Sequence, residues 1–316
     1  MAATLSVSLG SLVVLLFVFT SHAQLTANFY SSSCPNLETI VQTAVQTAVG
    51  NDPRVTAFFL RLFFHDCFVN GCDASVLLVD TATFQGEQTA PQNRNLGGQD
   101  VIEGIKSAVE ASCNGTVSCA DILALATRDG VVQSGGPSWT VQLGRRDATT
   151  ASRSAAASNL PFSGFNLSNL ITNFANKGLN LQELVALSGA HTVGFAPCRA
   201  FRRRIYNDSN IDPDFAKATQ ANCPTSGGDD NLSPIDVNTW TVFDNAYYQN
   251  LVSFRGLFHS DQELFNNGPA DSIVQSYVAS SSNFFRDFAA AMVKLGNISP
   301  LIGSSGEIRR VCSRVN

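Results

Sequence analysis

The chain has 316 residues with a formal net charge of −5, and 14% of its side chains are charged against 44% hydrophobic. So slight an acidic balance excludes an electrostatic partnership with nucleic acid or an anionic membrane, and the length suits one large domain or two small ones with ample core. Twenty-two Phe stand against two Trp and five Tyr; a Phe-rich interior packs a core and also suits a flat apolar cofactor.

Met1 to Ala23 carries no charged side chain, Leu12 to Phe19 is an unbroken apolar run, and Ser21-His22-Ala23 follows as a small-x-small cleavage signature. Residues 1–23 therefore read as a secretory signal peptide, although the n-region lacks Lys and Arg. The alternative, a membrane anchor, fails on length, because the run is too short to span a bilayer comfortably. Cleavage would leave a mature chain, residues 24–316, beginning at Gln24.

In chain order, Asn36 to Val49 repeats Leu37, Ile40, Val41, Ala44, Val45 and Ala48, the spacing of an amphipathic helix. Arg54 to Phe68 follows, with Pro53 at a helix-start position. Further helical patterns cover Val101 to Ala111, Cys119 to Val132, Leu167 to Asn176, Gln182 to Ser188, Ala246 to Val252, Asp271 to Ala279 and Asn283 to Leu295. Turns rich in Gly, Pro and Ser separate them, such as Ser134-Gly135-Gly136-Pro137 and Ser226-Gly227-Gly228. Trp139 to Leu143 is the best short strand candidate, and no repeat of solenoid period occurs. The expected fold is mainly α, with ten or more helices and long loops.

Eight cysteines remain after cleavage: Cys34, Cys67, Cys72, Cys113, Cys119, Cys198, Cys223 and Cys312. In an oxidising compartment an even set reads as four disulfides, with 105 connectivities open from sequence alone. Sequons at Asn114, Asn166, Asn207, Asn231 and Asn297 fit a secreted glycoprotein.

Two of the three histidines left after cleavage have unusual surroundings. Arg61 and His65 are i, i+4 neighbours on an apolar, Phe-rich helix, where a charged guanidinium is costly to bury without a purpose. The plain alternative is a surface Arg beside a hydrogen-bonded core His. At Leu184-Val185-Ala186-Leu187-Ser188-Gly189-Ala190-His191-Thr192 an apolar helix runs into small residues just before a histidine. Small residues let something large approach the backbone, so His191 is a candidate axial ligand for haem iron. Alone, such a histidine is more often a satisfied core residue.

Taken together, these segments resemble the secretory plant (class III) haem peroxidases. Arg61 through Ser75 (RLFFHDCFVNGCDAS) is similar to that family's distal-helix signature, and Leu187-Ser188-Gly189-Ala190-His191-Thr192 to its proximal-haem signature. Val117 to Asp121, Gly135 to Trp139, Leu143 to Asp147, Phe243 to Tyr248 and Ser260 to Phe265 match further motifs, in family order across the mature chain.

The resemblance implies one haem peroxidase domain over residues 24–316, a haem b cofactor between a distal and a proximal half, and two Ca2+ ions. It implies His191 as axial ligand, with Asp261 accepting from its other nitrogen and raising its basicity. His65 becomes the general base and acid toward hydrogen peroxide, Asn93 its tautomer-fixing partner, and Arg61 the stabiliser of charge as the O–O bond breaks. Phe64 walls the distal pocket, and Pro161 marks the aromatic-donor entrance. The distal calcium set is Asp66, Val69, Gly71, Asp73 and Ser75, with Glu87 linking it to the pocket. The proximal set is Thr192, Asp236, Thr239, Val242 and Asp244. Without the resemblance these acidic positions read equally as loop residues and helix caps, since the EF-hand pattern is absent. The resemblance also selects Cys34–Cys113, Cys67–Cys72, Cys119–Cys312 and Cys198–Cys223. The implied reaction gives two electrons to hydrogen peroxide, forming a ferryl plus a porphyrin radical, and recovers them singly from small phenolic donors.

Phe63 stands where many relatives carry a second histidine, the run after Asn93 is one residue short, and Phe162-Ser163-Gly164-Phe165 replaces a more proline-rich stretch. The last lies beside the donor entrance and leaves donor preference open. A calcium-dependent phospholipase would need a Gly- and Cys-rich loop before His65, where the chain is helical and Phe-rich. A cysteine protease fails on the paired cysteines. A non-catalytic calcium-binding wall glycoprotein is opposed by intact Arg61, His65, Asn93, His191 and Asp261. The expected protein is a monomer, and the chain end at Asn316 soon after Cys312, in the family it resembles, favours secretion to the cell wall or apoplast over the vacuole.

Overall fold

Thirteen α-helices order the chain in a computed structural model, which describes residues 24–82 and 84–316. The expected signal peptide at residues 1–23 lies outside the described residues. The first four helices are α1 (Leu37–Asn51), α2 (Val55–Val69), α3 (Gln99–Ser112) and α4 (Cys119–Gln133). Helix α1 buries Leu37, Val41 and Val45, an i, i+4 stripe, against α4. Helix α2 is apolar on nearly every side and buries ten residues, including Phe59, Leu62, Phe63, Cys67 and Phe68. That makes it a core helix; each such large side chain contributes roughly 2 kcal/mol on leaving water.

Helix α4 starts where its orphan N–H groups are best served. Ser118 Oγ accepts from Asp121 N, and the Asp147 carboxylate accepts from Cys119 N and Ala120 N. Then come α5 (Arg153–Asn159), α6 (Leu167–Ala175) and α7 (Leu181–Ser188). Asn180 and Glu183 form a capping box at the start of α7. The chain continues through α8 (Arg202–Asn207), α9 (Pro213–Gln220), α10 (Ala246–Val252), α11 (His259–Gln262), α12 (Asp271–Ala279) and α13 (Ser281–Leu295). Nine of these match the helices expected from periodicity to within about two residues (order of the usual boundary scatter).

Two short antiparallel strands, β1 (Phe195–Pro197) and β2 (Leu232–Pro234), pair Ala196 with Ser233. Trp139–Leu143 is not a strand. Its alternate residues Trp139, Val141 and Leu143 are buried, which explains the pattern, but only Leu143 finds a ladder partner, Thr26. Among the described residues no helix is long and apolar enough to cross a membrane.

One large core runs through α1–α4, α7, α10, α12 and α13. A smaller one gathers Ala196, Cys198, Phe201, Ile205, Phe215, Cys223, Leu257 and Phe258. Four disulfides pair as expected: Cys34–Cys113, Cys67–Cys72, Cys119–Cys312 and Cys198–Cys223. The third joins the start of α4 to the C-terminal tail across 193 residues. Replacing both Cys119 and Cys312 by Ala should lower the unfolding free energy by ~5 kcal/mol in chemical denaturation, because so long a loop restricts the unfolded chain most.

Candidate active site

Helix α7 carries the first functional histidine to its place. At its end the 3-10 turn Gly189–Thr192 presses against α10. A Cβ on Gly189 would lie 2.4 Å from the Tyr248 hydroxyl and from the Phe284 ring, so only glycine lets the turn seat there. His191 Nδ1 then lies 2.7 Å from Asp261 Oδ1. A carboxylate only accepts, so Nδ1 carries the proton and Nε2 of the neutral ring is left with a free lone pair. Asp261 is buried and also accepts from Phe258 N at 2.9 Å and from the Tyr247 hydroxyl at 3.0 Å. The Phe258 and Tyr247 rings stand 5.3 and 6.0 Å from the imidazole. Yet the His191 side chain remains 39% accessible, so this held imidazole opens onto space.

Helix α2 supplies the second. His65 Nδ1 lies 2.5 Å from Asn93 Oδ1, and Asn93 Nδ2 in turn donates to the Glu87 carbonyl at 2.9 Å. Its amide oriented that way, Asn93 accepts from Nδ1–H, and His65 Nε2 is the free base. Burial first, then the charge of Arg61, pushes the His65 pKa down to about 3 against the opposing Asn93 bond. Arg61 donates from Nη2 to the Gln92 and Arg94 carbonyls (2.9 and 3.3 Å) and from Nη1 to the Asn95 carbonyl (3.2 Å). The turn that begins with Pro91–Asn93 thus holds both residues, while Nε and one Nη1 proton of Arg61 stay available. Burial, then the Arg199 charge, lowers the Arg61 pKa to about 10. Phe64 stacks on Phe68 at 4.1 Å and stands 5.9 Å from His65.

The two histidine-bearing elements meet along one edge. Helix α2 packs against the Gly189–Thr192 turn, and a Cβ on Gly194 would come 2.7 Å from that of Ala57. Two imidazoles, each with Nδ1 taken and Nε2 bare, beside Phe64, Phe258 and Tyr247, fit an iron porphyrin bound between them. Chemistry rather than concavity marks the site: a cavity of about 840 Å³ between α1 and α3 is lined by none of these residues.

Comparison with known proteins agrees with that chemistry. The profile of the family described as Peroxidase matches residues 41–280, a span that includes Arg61, His65, His191 and Asp261. The chain is 58% identical over 93% of its length to Peroxidase P7 of Brassica rapa subsp. rapa, all of which is covered. It is 56% identical to Peroxidase 4 of Vitis vinifera and 55% identical to Peroxidase 70 of Zea mays, over 98% of the chain in both, covering 97% and 98% of those proteins. This chain belongs to the peroxidase family.

The peroxidase gathers buried oxygens beside each histidine. Next to His65, Asp66, Asp73, Ser75 and Glu87 are all buried. Asp66 accepts from Ala74 N at 2.9 Å and Asp73 from Ser75 N at 3.0 Å, but among the described residues Ser75 Oγ and Glu87 Oε2 have no well-formed hydrogen bond. Burial raises the pKa of Asp66 well above its usual range, with Asp73 adding to it; burial likewise raises Asp73, and pushes Glu87 up to about 7. Unpartnered oxygens among crowded carboxylates fit a hard cation. Among the described residues no three Asp, Glu, His or Cys side chains make a cage alone, so a cation there would have to draw on hydroxyl and backbone oxygens as well. Gly71, at φ +133°, comes so close to the Ser299 carbonyl that a Cβ would strike it. The Val69 carbonyl is the expected donor least free, since it accepts from Asn159 Nδ2 (3.1 Å) and Lys177 Nζ (3.0 Å).

Beside His191, the Thr192 hydroxyl lies 3.3 Å from Asp236 Oδ2 and 3.2 Å from Asp244 Oδ1, and Thr239 Oγ1 is 3.1 Å from the same Asp244 oxygen. One hydroxyl proton cannot serve two carboxylates, so this group too fits a cation. Val242 N closes the turn onto the Thr239 carbonyl at 2.7 Å, with its side chain exposed. Pro161 follows α5 and begins a loop whose Phe162 is 46% exposed. Ser163 ties that loop to both neighbours, donating to the Ala200 carbonyl at 2.7 Å and accepting from Ser260 N at 2.9 Å. Sequence reasoning missed Tyr247, Phe258 and the carbonyls that hold Arg61. Tyr247 lies within a matched motif, but nothing local says where its hydroxyl goes.

The raised distal carboxylates have a pH consequence. A buried acid whose folded pKa exceeds its unfolded one binds more protons when folded, so calcium-free protein should lose stability as pH rises from about 4.5 through 7. Thermal unfolding with calcium and with chelator, at pH 5 and pH 7.5, should show calcium stabilising much more at the higher pH. Equal gains at both would separate these carboxylates from any cation.

Proposed function

We propose that this peroxidase is a secreted, monomeric, haem b enzyme, with a single domain over residues 24–316, that reduces hydrogen peroxide and oxidises small phenolic donors. The observation that carries the reading is the matched pair of imidazoles, His65 with Asn93 at 2.5 Å and His191 with Asp261 at 2.7 Å. Haem, when bound, supplies the two electrons that peroxide reduction needs and regains them singly from donors. His191 Nε2 would hold the iron, and Asp261 would lend the ring anionic character.

His65 Nε2 takes a proton from one peroxide oxygen and delivers it to the other, which leaves as water. Its low pKa suits the first half of that task, because the ring is neutral at any pH well above about 3. The free Arg61 donors meet negative charge on the departing oxygen, in the manner of an oxyanion hole. Phe64 excludes bulky donors from the distal side, and the Pro161 loop receives them at the edge.

Calcium at the distal and proximal oxygen groups would clamp Asp66 next to His65 and Thr192 next to His191, holding both catalytic segments in register. Secretion is supported by four disulfides with no free cysteine among the described residues, and by the exposed sequon residues Asn114, Asn166, Asn207, Asn231 and Asn297.

Haem-reconstituted protein mixed with stoichiometric peroxide tests this reading by stopped-flow absorption in the Soret region. His65→Leu should keep its haem but react about 10²–10⁴-fold more slowly, and Arg61→Leu about 10²–10³-fold more slowly. Failure of the wild type to take up haem, with calcium present and disulfides formed, would sink the proposal. For the wild type, the rate constant should stay level from neutral pH to about 4, then fall as His65 protonates near its pKa of about 3.

A further inference from the structure

We infer that the Tyr247 hydroxyl, by sharing one carboxylate oxygen of Asp261 with His191, limits how strongly the imidazole donates to iron. The inference deepens the proposed haem site and rests on His191 holding the iron. Asp261 has two oxygens to place. Oδ2 accepts from Phe258 N at 2.9 Å, which fixes the carboxylate at the start of α11. Oδ1 accepts from two donors at once, His191 Nδ1–H at 2.7 Å and the Tyr247 hydroxyl at 3.0 Å.

An O–H donor to a carboxylate makes a charge-assisted bond, and each donor on one oxygen draws density the other would use. Tyr247 is buried at 2% exposure and burial holds its phenol protonated, so it donates throughout the working pH range. Its ring stands edge-on to the imidazole at 6.0 Å, so the hydroxyl cannot swing away without unpacking the ring. With Tyr247 in place, Asp261 is a weaker acceptor for Nδ1–H, and the ring keeps more neutral character.

The neighbouring residue shows that this is a selected direction rather than a common property of α10. The Tyr248 hydroxyl donates to the Val185 carbonyl at 2.8 Å and makes no contact with Asp261. Consecutive tyrosines thus divide the labour: Tyr248 ties α10 to α7, and Tyr247 tunes the carboxylate. Tyr247 is a positioning residue, since it acts on the iron ligand through Asp261 alone.

The experiment uses the haem-reconstituted protein and reads the ferric/ferrous potential by spectroelectrochemistry, with the iron–histidine stretch of the ferrous form by resonance Raman. Tyr247→Phe should favour the ferric state by about tenfold, 59 mV for one electron, and raise the stretching frequency. Tyr248→Phe removes the same atom one residue along and should move neither. In an Asp261→Asn background, Tyr247→Phe should lose most of its effect. Should Tyr247→Phe bind no haem, 3,5-difluorotyrosine at position 247 gives a stronger donor and should shift both readouts the opposite way. An unchanged or raised potential in Tyr247→Phe, an equal shift in Tyr248→Phe, or a shift that survives loss of Asp261 overturns the inference. Absence of haem from the wild type would defeat the proposed function itself, a separate outcome.

Discussion

A neutral imidazole has one proton and two nitrogens, and in this protein a buried oxygen decides the choice for both site histidines. Asp261 takes the proton side of His191, and Asn93 takes that of His65. Each leaves Nε2 bare, in the proposed mechanism one to bind iron and one to abstract a proton. The acceptors differ in charge, and that difference separates the roles. A carboxylate behind His191 makes a strong donor toward a metal; a neutral amide behind His65 orients the ring without making it hold its proton too tightly. Much of the surrounding structure exists to hold those two oxygens still. Phe258 N and the Tyr247 hydroxyl fix Asp261, while the Glu87 carbonyl fixes Asn93.

That arrangement burdens the fold with charge. Asp66, Asp73 and Glu87 are buried side by side near His65, and Asp236 is buried near His191. Arg309 is the cation whose charge bears on Asp73, yet among the described residues its Nε and Nη1 find no hydrogen-bond partner. Left uncompensated, such carboxylates cost several kcal/mol or remain protonated. A divalent ion bound on each side would resolve the conflict, next in sequence to His65 and to His191. Charges that look like a defect of packing would then couple cation binding to the two histidine segments.

Much of this was legible in the sequence because it is local. Arg61 and His65 share a helix face by spacing, and the apolar stripe of α1 predicted its buried residues. Most of what escaped had no local signal. Helix α5 is Arg-Ser-Ala-Ala-Ala-Ser-Asn, with no apolar period, and the three arginines of α8 hide its buried Ile205. Helix α9 did announce itself, through Asp212 as cap and Pro213 at the first turn, but it is short and mostly polar. Trp139 to Leu143 misled because alternation reports burial of alternate residues, and a strand also needs a partner. At the site, the resemblance supplied the pairing of Asn93 with His65, 28 positions apart. It named no partner for Tyr247, whose hydroxyl reaches Asp261 from another helix.

The loop at Pro161, the proposed donor edge, shows how one backbone connection joins two properties that sequence treats separately. Ser260 N binds the Ser163 carbonyl, so the loop carrying Pro161 and Phe162 is tied to α11, the helix that presents Asp261. Ser163 Oγ holds the same loop to Ala200, beside the Arg199 whose charge reaches Arg61. A change in the Pro161 loop is therefore mechanically adjacent to Asp261 behind His191 and electrostatically adjacent to Arg61. Because packed elements shift as units, the departures from the family pattern after Pro161 act on more than access. Substitutions there have a direct route to His191 through Ser260 and Asp261, whereas Phe64 stands beside His65 on α2.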